Sequence, residues 1–217
     1  MKGRFITFEG TEGCGKSTQI KLLAERLRAL GHRVRTLREP GGTPIGEEIR
    51  HTLKHSADNA AMTAEAELLL MNASRAQLVR EVIRPALAAG EIVLCDRFSD
   101  STIAYQAYGR QLNLATVKAV ITFAVGETQP DLTLWLHVSP AVSAERLRSR
   151  QKNLPFVRDR IEEADQAFFE RVAHGFEAIA AAESQRVQFV NGEQPVAVVC
   201  ASIWEMVLPL LPKFGRW

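Results

Sequence analysis

Apolar positions along this chain follow two alternating periods. Short β-rich runs occupy 4–9, 34–38, 92–95, 132–138 and 186–190, and stretches with helical spacing lie between them. After the first run, Ile20, Leu23, Leu27 and Leu30 repeat on one helical face, and Gly31 stands where a C-terminal cap belongs. A short helix is expected over 46–53, and a polar, Ala-rich loop over 55–62. A long helix begins near Thr63 with Glu65 and Glu67 in its first turn, runs through Leu68, Met71, Leu78, Val79 and Val82, and closes at Ala88-Ala89-Gly90. Further helices are expected to open at 99–106 and to span 113–125 with Asn113 as N-cap, a stretch starting at Ala141, 162–182 and 196–211. The run Ile92-Val93-Leu94-Cys95 is apolar throughout, as in a strand covered on both faces. Alternating strands and helices predict an α/β fold, a five-stranded parallel sheet flanked by helices on both faces. No repeat, low-complexity tract or linker divides the chain, so one domain over 1–217 is expected.

Composition narrows this picture little. Hydrophobic residues make up 46% and charged residues 24%, ordinary for a globular protein, and a net charge of +2 argues against a bulk nucleic-acid binder. Cys14, Cys95 and Cys200 are odd in number and form no C-x-x-C pair, which points to free thiols and a cytoplasmic setting. No apolar signal region or membrane-length apolar run is present, so no membrane partner is expected. The 20 Arg against 7 Lys matter more, because arginine grips phosphate bidentately, although genomic base composition gives the same count.

The first strand and its helix are joined by Gly10-Thr11-Glu12-Gly13-Cys14-Gly15-Lys16-Ser17, which reads G-x-x-x-x-G-K-[ST]. Glycines let the loop turn its N–H groups onto phosphate oxygens, Lys16 reaches the outer phosphates, and Ser17 takes Mg²⁺. Asp96 ends the buried strand and Arg97 follows it. In a P-loop protein that carboxylate is the Mg²⁺-linked acid, and otherwise a solvated strand-end pair. Arg75 lies on the apolar stripe four residues after Met71, with Asn72 beside it. It needs a ligand, or else it snorkels to solvent or pairs with a structural carboxylate. Glu12 should be repelled inside a phosphate cradle, so it faces a sugar hydroxyl, a cation or a neighbouring arginine. Arg146, Arg148, Arg150, Lys152, Arg158 and Arg160 form either a solvated basic helix or a flap that closes over triphosphate, at about 146–162. Asp96-Arg97-Phe98-Ser99 lacks the glycine of a GTPase switch, and no lysine follows Asn or Thr. A small phosphotransferase fits better than a GTPase or a motor.

Several motifs together resemble the thymidylate kinase family, of the P-loop nucleoside monophosphate kinase fold. They are Phe8-Glu9-Gly10 through Thr18-Gln19, Arg38-Glu39-Pro40-Gly41-Gly42-Thr43-Pro44, Ser74-Arg75-Ala76-Gln77, Asp96-Arg97-Phe98, Ser101-Thr102 with Ala104-Tyr105-Gln106, and Asp159-Arg160-Ile161-Glu162. The resemblance covers nearly the whole chain. It implies transfer of the γ-phosphoryl of ATP to dTMP with Mg²⁺. Gly10 through Thr18 would hold ATP phosphates, Ser17 and Asp96 would serve the metal, and Asn191 of the Asn191-Gly192 turn would sit against adenine. Arg97 and Arg50 would grip the acceptor phosphate. Glu12 would take the sugar 3′-hydroxyl, Arg75 the thymine O4, and Thr102 and Gln106 would complete base recognition beside Met71. Tyr105 would lie against the deoxyribose. Arg146, Arg148, Arg150 and Arg160 would neutralise charge, with Arg150 the best match to the family's lid arginine.

The absence of arginine at positions 11–14 resembles the bacterial subtype, whose lid supplies that arginine, and the family is typically homodimeric. This chain departs from the pattern at Met71, where an aromatic ring is usual, at Phe98, where tyrosine is commoner, and in Lys152 to Val157, which lengthen the lid. Another nucleoside monophosphate kinase, or a nucleotide-binding module without turnover, remains the alternative on sequence grounds.

Overall fold

The computed structural model describes residues 3–151, 160–161 and 164–211 of the 217, with backbone alone at 150 and 151. The expected Lys152–Val157 insertion and Arg158 lie outside the described residues. The order is β1 (Arg4–Glu9), α1 (Lys16–Ala29), β2 (Val34–Arg38), α2 (Pro44–Lys54), α3 (Ala64–Leu78), α4 (Arg84–Ala88), β3 (Ile92–Asp96), α5 (Ser99–Thr102), α6 (Leu114–Val125), β4 (Leu132–His137), α7 (Pro140–Gln151), α8 (Gln166–Ala182), β5 (Val187–Asn191) and α9 (Val196–Val207). The five strands are parallel in the order β2-β3-β1-β4-β5.

Alternation within the strands sorts the core into two layers. Phe5, Val93, Cys95 and Trp135 face one way and pack with α3, α6 and α8. Ile6, Phe8, Leu94, Leu134 and Leu136 face the other way and pack with α1 and α9. The central strand is therefore apolar on both faces, as a doubly covered parallel sheet requires. Parallel strands point their carboxyl ends to one rim. Phe8 is paired with Asp96 and with Leu134, so the loops leaving β1, β3 and β4 start side by side.

Local chemistry accounts for the helix ends. Asn113 caps α6 by accepting from Thr116 N at 3.0 Å, and Asp165 caps α8 by accepting from Phe168 N at 2.7 Å. The Asp165 cap moves the start of the helix expected from 162 to Gln166. At the end of α1, Gly31 takes φ 85° while its N–H and that of His32 bond back to Arg28 and Leu27.

Four expectations need correction. The helix expected from Thr63 to Ala88 is interrupted by a π turn at Val79–Ile83, where the N–H of Arg84 reaches back to the Val79 carbonyl. Pro85 has no N–H for the preceding turn, and the wider turn accommodates that loss. The stretch opening at Ser99 is a four-residue α-helix followed by a π segment, Ile103–Gly109. The loop expected over 55–62 contains a 3₁₀ turn at Ala57–Ala61, which Ser56 caps through Asp58 N at 3.3 Å. The closing helix ends at Val207 and tightens to a 3₁₀ turn at Leu208–Leu210, where Pro209 lacks the donor to continue. No described helix is long and apolar enough to cross a membrane.

Candidate active site

The P-loop leaves β1 at Gly10, whose φ is 133°. A side chain there would lie 2.2 Å from the Leu136 carbonyl of β4, so only glycine passes. The loop ends in α1, whose exposed Ser17 and Thr18 open the helix toward the strand ends. Lys16 is buried, and its Nζ donates to the carbonyls of Gly10 at 3.2 Å and Thr11 at 3.0 Å. Ser17 Oγ donates to Asp96 Oδ2 at 3.0 Å across the β1–β3 rim. The pair therefore offers two hard oxygens. Among the described residues no group of three or more His, Cys, Asp or Glu is placed to hold a metal ion. A cation held here would take its other ligands from phosphates and water, which suits Mg²⁺.

Arg97 follows Asp96 in a left-handed conformation, φ 70°, rare for a side-chain-bearing residue. Its guanidinium donates to the Gly10 carbonyl at 2.9 Å, to Ser101 Oγ at 3.0 Å and to Glu12 Oε1 at 2.9 Å. It also lies 5.0 Å from the centre of the Tyr105 ring. Burial alone would raise the pKa of Glu12, but Arg97, Lys16 and Lys54 outweigh it and hold the carboxyl well below the usual carboxylate range. Of the partners open to Glu12, the described contacts select the neighbouring arginine.

Glu12, Met71, Arg75, Arg97, Thr102, Tyr105 and Gln106 line one half-open cavity. Glu39, Pro40, Lys54, Ser101 and Ile161 complete its walls. Arg75 is 2% exposed and donates to Glu39 at 2.7 Å, Asn72 Oδ1 at 3.0 Å and the Phe98 carbonyl at 3.0 Å. It therefore has the structural carboxylate and also lines the cavity. Arg50 donates to the Pro40 carbonyl at 2.9 Å, tying α2 to the wall.

Arg146 of α7 spans two other loops, donating to the Gly13 carbonyl at 3.3 Å and the Gly192 carbonyl at 3.0 Å. Ser143 adds a bond to the Glu12 carbonyl at 2.7 Å, so α7 clamps the P-loop from outside. Asn191 is exposed at the same edge and accepts from Glu193 N at 3.0 Å. Arg148 is exposed on α7, and the Arg150 side chain is outside the description. Arg160 pairs instead with Glu67. Gln106, which lines the cavity, shares the same carboxylate.

Sequence reading assigned no role here to Glu9 or Lys54, and read Glu67 only as a helix-opening acid. Glu67 is buried, not solvated in a first turn. Glu9 ends β1 inside the motif Phe8-Glu9-Gly10. It accepts from Phe98 N at 2.7 Å and from Ser101 Oγ, anchoring the loop that carries Arg97. Burial and the nearby Asp100 push the Glu9 carboxyl up to about 8. A native pKa above the unfolded value favours folding while the group is protonated. That stability is complete below about pH 4.5 and is lost as pH rises through about 8. Glu9→Gln should therefore flatten the fall in urea midpoint between pH 5 and pH 9, the wild type losing on the order of 4 kcal/mol more across that range. Parallel curves for the two proteins would remove Glu9 from this role.

Comparison with known proteins gives the arrangement a family. The family model described as thymidylate kinase matches residues 8–203. The chain is 46% identical over 215 residues to a thymidylate kinase of Geobacter sulfurreducens, covering 97% of this chain and 99% of the relative. It is 48% identical over 216 residues to a thymidylate kinase of Pseudomonas fluorescens, with all of both chains covered. The crystal structure of thymidylate kinase from Ehrlichia chaffeensis superposes with a TM-score of 0.77 at 30% identity, covering 96% of this chain and 99% of that one. Strand order, P-loop and the adjoining cavity thus sit in a chain matched from end to end: this protein belongs to the thymidylate kinase family.

Proposed function

We propose that this chain transfers the γ-phosphoryl group of ATP to dTMP, giving ADP and dTDP. The observation that carries the reading is the join between two walls. Arg97 of one and Glu12 of the P-loop meet at 2.9 Å where the cavity opens toward the phosphate cradle. Two nucleotides then approach one another end to end across that join. ATP phosphates lie along Gly10 to Thr18, with backbone N–H groups and Lys16 as donors. Ser17 and Asp96 would hold Mg²⁺, which would supply positive charge to the phosphates.

On the acceptor side, Arg75, Thr102, Gln106 and Met71 surround the base, Tyr105 and Glu12 the sugar, and Arg50 and Arg97 the phosphate. Arg97 reaches both halves of the site and steadies the group in flight. Arg146 fixes the P-loop, and Arg150 adds charge from the lid, approximately 146–162, of a single domain. Such transfer needs alignment and charge neutralisation rather than a covalent nucleophile.

The test is ADP release across dTMP, dUMP, UMP, CMP, AMP and GMP. dTMP should be the preferred acceptor. Preference for another base would overturn the roles of Arg75, Thr102 and Tyr105, and no release with any acceptor would favour a module without turnover. Exposed Leu69 of α3 with Leu114 and Phe123 of α6 support a homodimer through that face. Sedimentation at the mass of one chain would exclude it. Free Cys14, Cys95 and Cys200 fit a reducing cytoplasm.

A further inference from the structure

Glu67 is 1% exposed, yet it does not touch the phosphate machinery. It stands on α3 at the same face as Met71 and Arg75, four and eight residues before them. Its Oε1 accepts from Gln106 Nε2 at 2.9 Å and from Arg110 Nε at 3.2 Å, and its Oε2 accepts from Arg110 at 3.1 Å and from Arg160. One carboxylate thus gathers α3, the π segment and its C-terminal Arg110, and Arg160.

An ionised carboxylate only accepts hydrogen bonds, so it decides which end of the Gln106 amide faces it. The amino group must turn to Glu67. The carbonyl oxygen is left as the atom Gln106 offers to the cavity it lines. Arg75, on the same wall, offers only donors.

We propose that Glu67 is a specificity-determining positioning residue. By fixing the Gln106 amide as an acceptor, it admits a pyrimidine whose edge pairs a carbonyl with a ring N–H, and rejects one that presents an amino group and a bare ring nitrogen. The proposal rests on the dTMP reading above and names the device that separates thymine from cytosine. A site that presents a fixed polar pattern rejects the wrong edge because the mismatched groups are left buried and unpaired.

The experiment measures kcat/KM for dTMP and dCMP in four proteins. Glu67→Gln frees the amide to turn, so the dTMP:dCMP ratio should fall about tenfold or more, chiefly through KM for dTMP, with KM for ATP unmoved. Arg110→Met keeps the Glu67–Gln106 contact and should keep the ratio. The exchange Glu67→Gln with Gln106→Glu restores one amide and one carboxylate, again with an oxygen toward the base, and should restore the ratio. That double variant also serves if Glu67→Gln alone fails to fold. An unchanged ratio in Glu67→Gln, an equal loss in Arg110→Met, or no rescue by the exchange overturns the proposal. A wild-type protein with no preference for dTMP over dCMP instead overturns the dTMP reading itself.

Discussion

Replacing Lys16 with Ala should lower phosphoryl transfer by about a thousandfold or more while the chain stays folded. Lys16 is buried, and its ammonium rests on the carbonyls of Gly10 and Thr11 at the mouth of the phosphate cradle. Burial and Arg97 disfavour its charge, but Cys14, Glu12 and Asp96 outweigh them and raise its pKa, so the ammonium stays charged at neutral pH. It is a cation held in a low-dielectric loop without being neutralised outright. Triphosphate oxygens are better partners than two backbone carbonyls, because the bond is then assisted by charge on both sides. The same ammonium gains further as negative charge shifts toward the leaving oxygen, which is why kcat should suffer and not KM alone. Lys16→Met preserves the aliphatic stem and should lose as much as Lys16→Ala, separating charge from packing. The measurements are ADP release at saturating dTMP and the far-ultraviolet circular dichroism of each variant. Activity within tenfold of wild type in a folded Lys16→Ala protein would take the P-loop out of catalysis.

The fold was legible where the information is local. Short β-rich runs, one of them apolar throughout, marked the five described strands, and spacing alone located the helix of Ile20 and Leu23, because each signal spans a single element. Sheet order was not in the periodicity: pairing Phe8 with both Asp96 and Leu134 joins residues far apart in sequence. The π turns escaped for a related reason. Apolar residues at 78, 79 and 82 read as one stripe whether the backbone closes to i−4 or to i−5, and only Pro85 hints at the break. At the candidate site, the P-loop and Asp96-Arg97 announced themselves because their chemistry is packed into a few consecutive residues. Glu67 did not. A glutamate in the first turn of a helix is ordinarily explained by the helix dipole, and its three partners arrive from chain segments about 40 and 93 residues on. Glu39 was visible as part of a motif but not as the partner of Arg75, since the pairing needs the tertiary fold to bring them within 2.7 Å. Glu12 shows the reverse case. Its misfit in an anion site was readable from charge alone, and the arginine that resolves it stands 85 residues away.

Arg97 is the residue at which backbone and side chain make the same demand, and Arg97→Ala should cost about a thousandfold or more in kcat/KM. A residue with a side chain at φ 70° is held there only when its surroundings over-determine it. Here they do: its N–H donates to the Phe8 carbonyl at 2.9 Å, and the guanidinium binds Gly10, Ser101 and Glu12. The left-handed turn lets the chain leave β3 and still aim the side chain back across the P-loop. Arg97→Gly separates the two demands. Glycine adopts this backbone without penalty, so the Gly variant should be more stable than the Ala variant by about 1 kcal/mol. Both should be equally inactive, because the lost element is the fork that spans the two walls. Arg97→Lys should recover little, since a single ammonium cannot hold Gly10, Glu12 and a phosphate at once. Urea unfolding and ADP release on the three variants decide the matter. A Gly variant less stable than Ala would refute backbone strain at this position. A Lys variant near wild-type activity would reduce Arg97 from a geometric clamp to a simple positive charge.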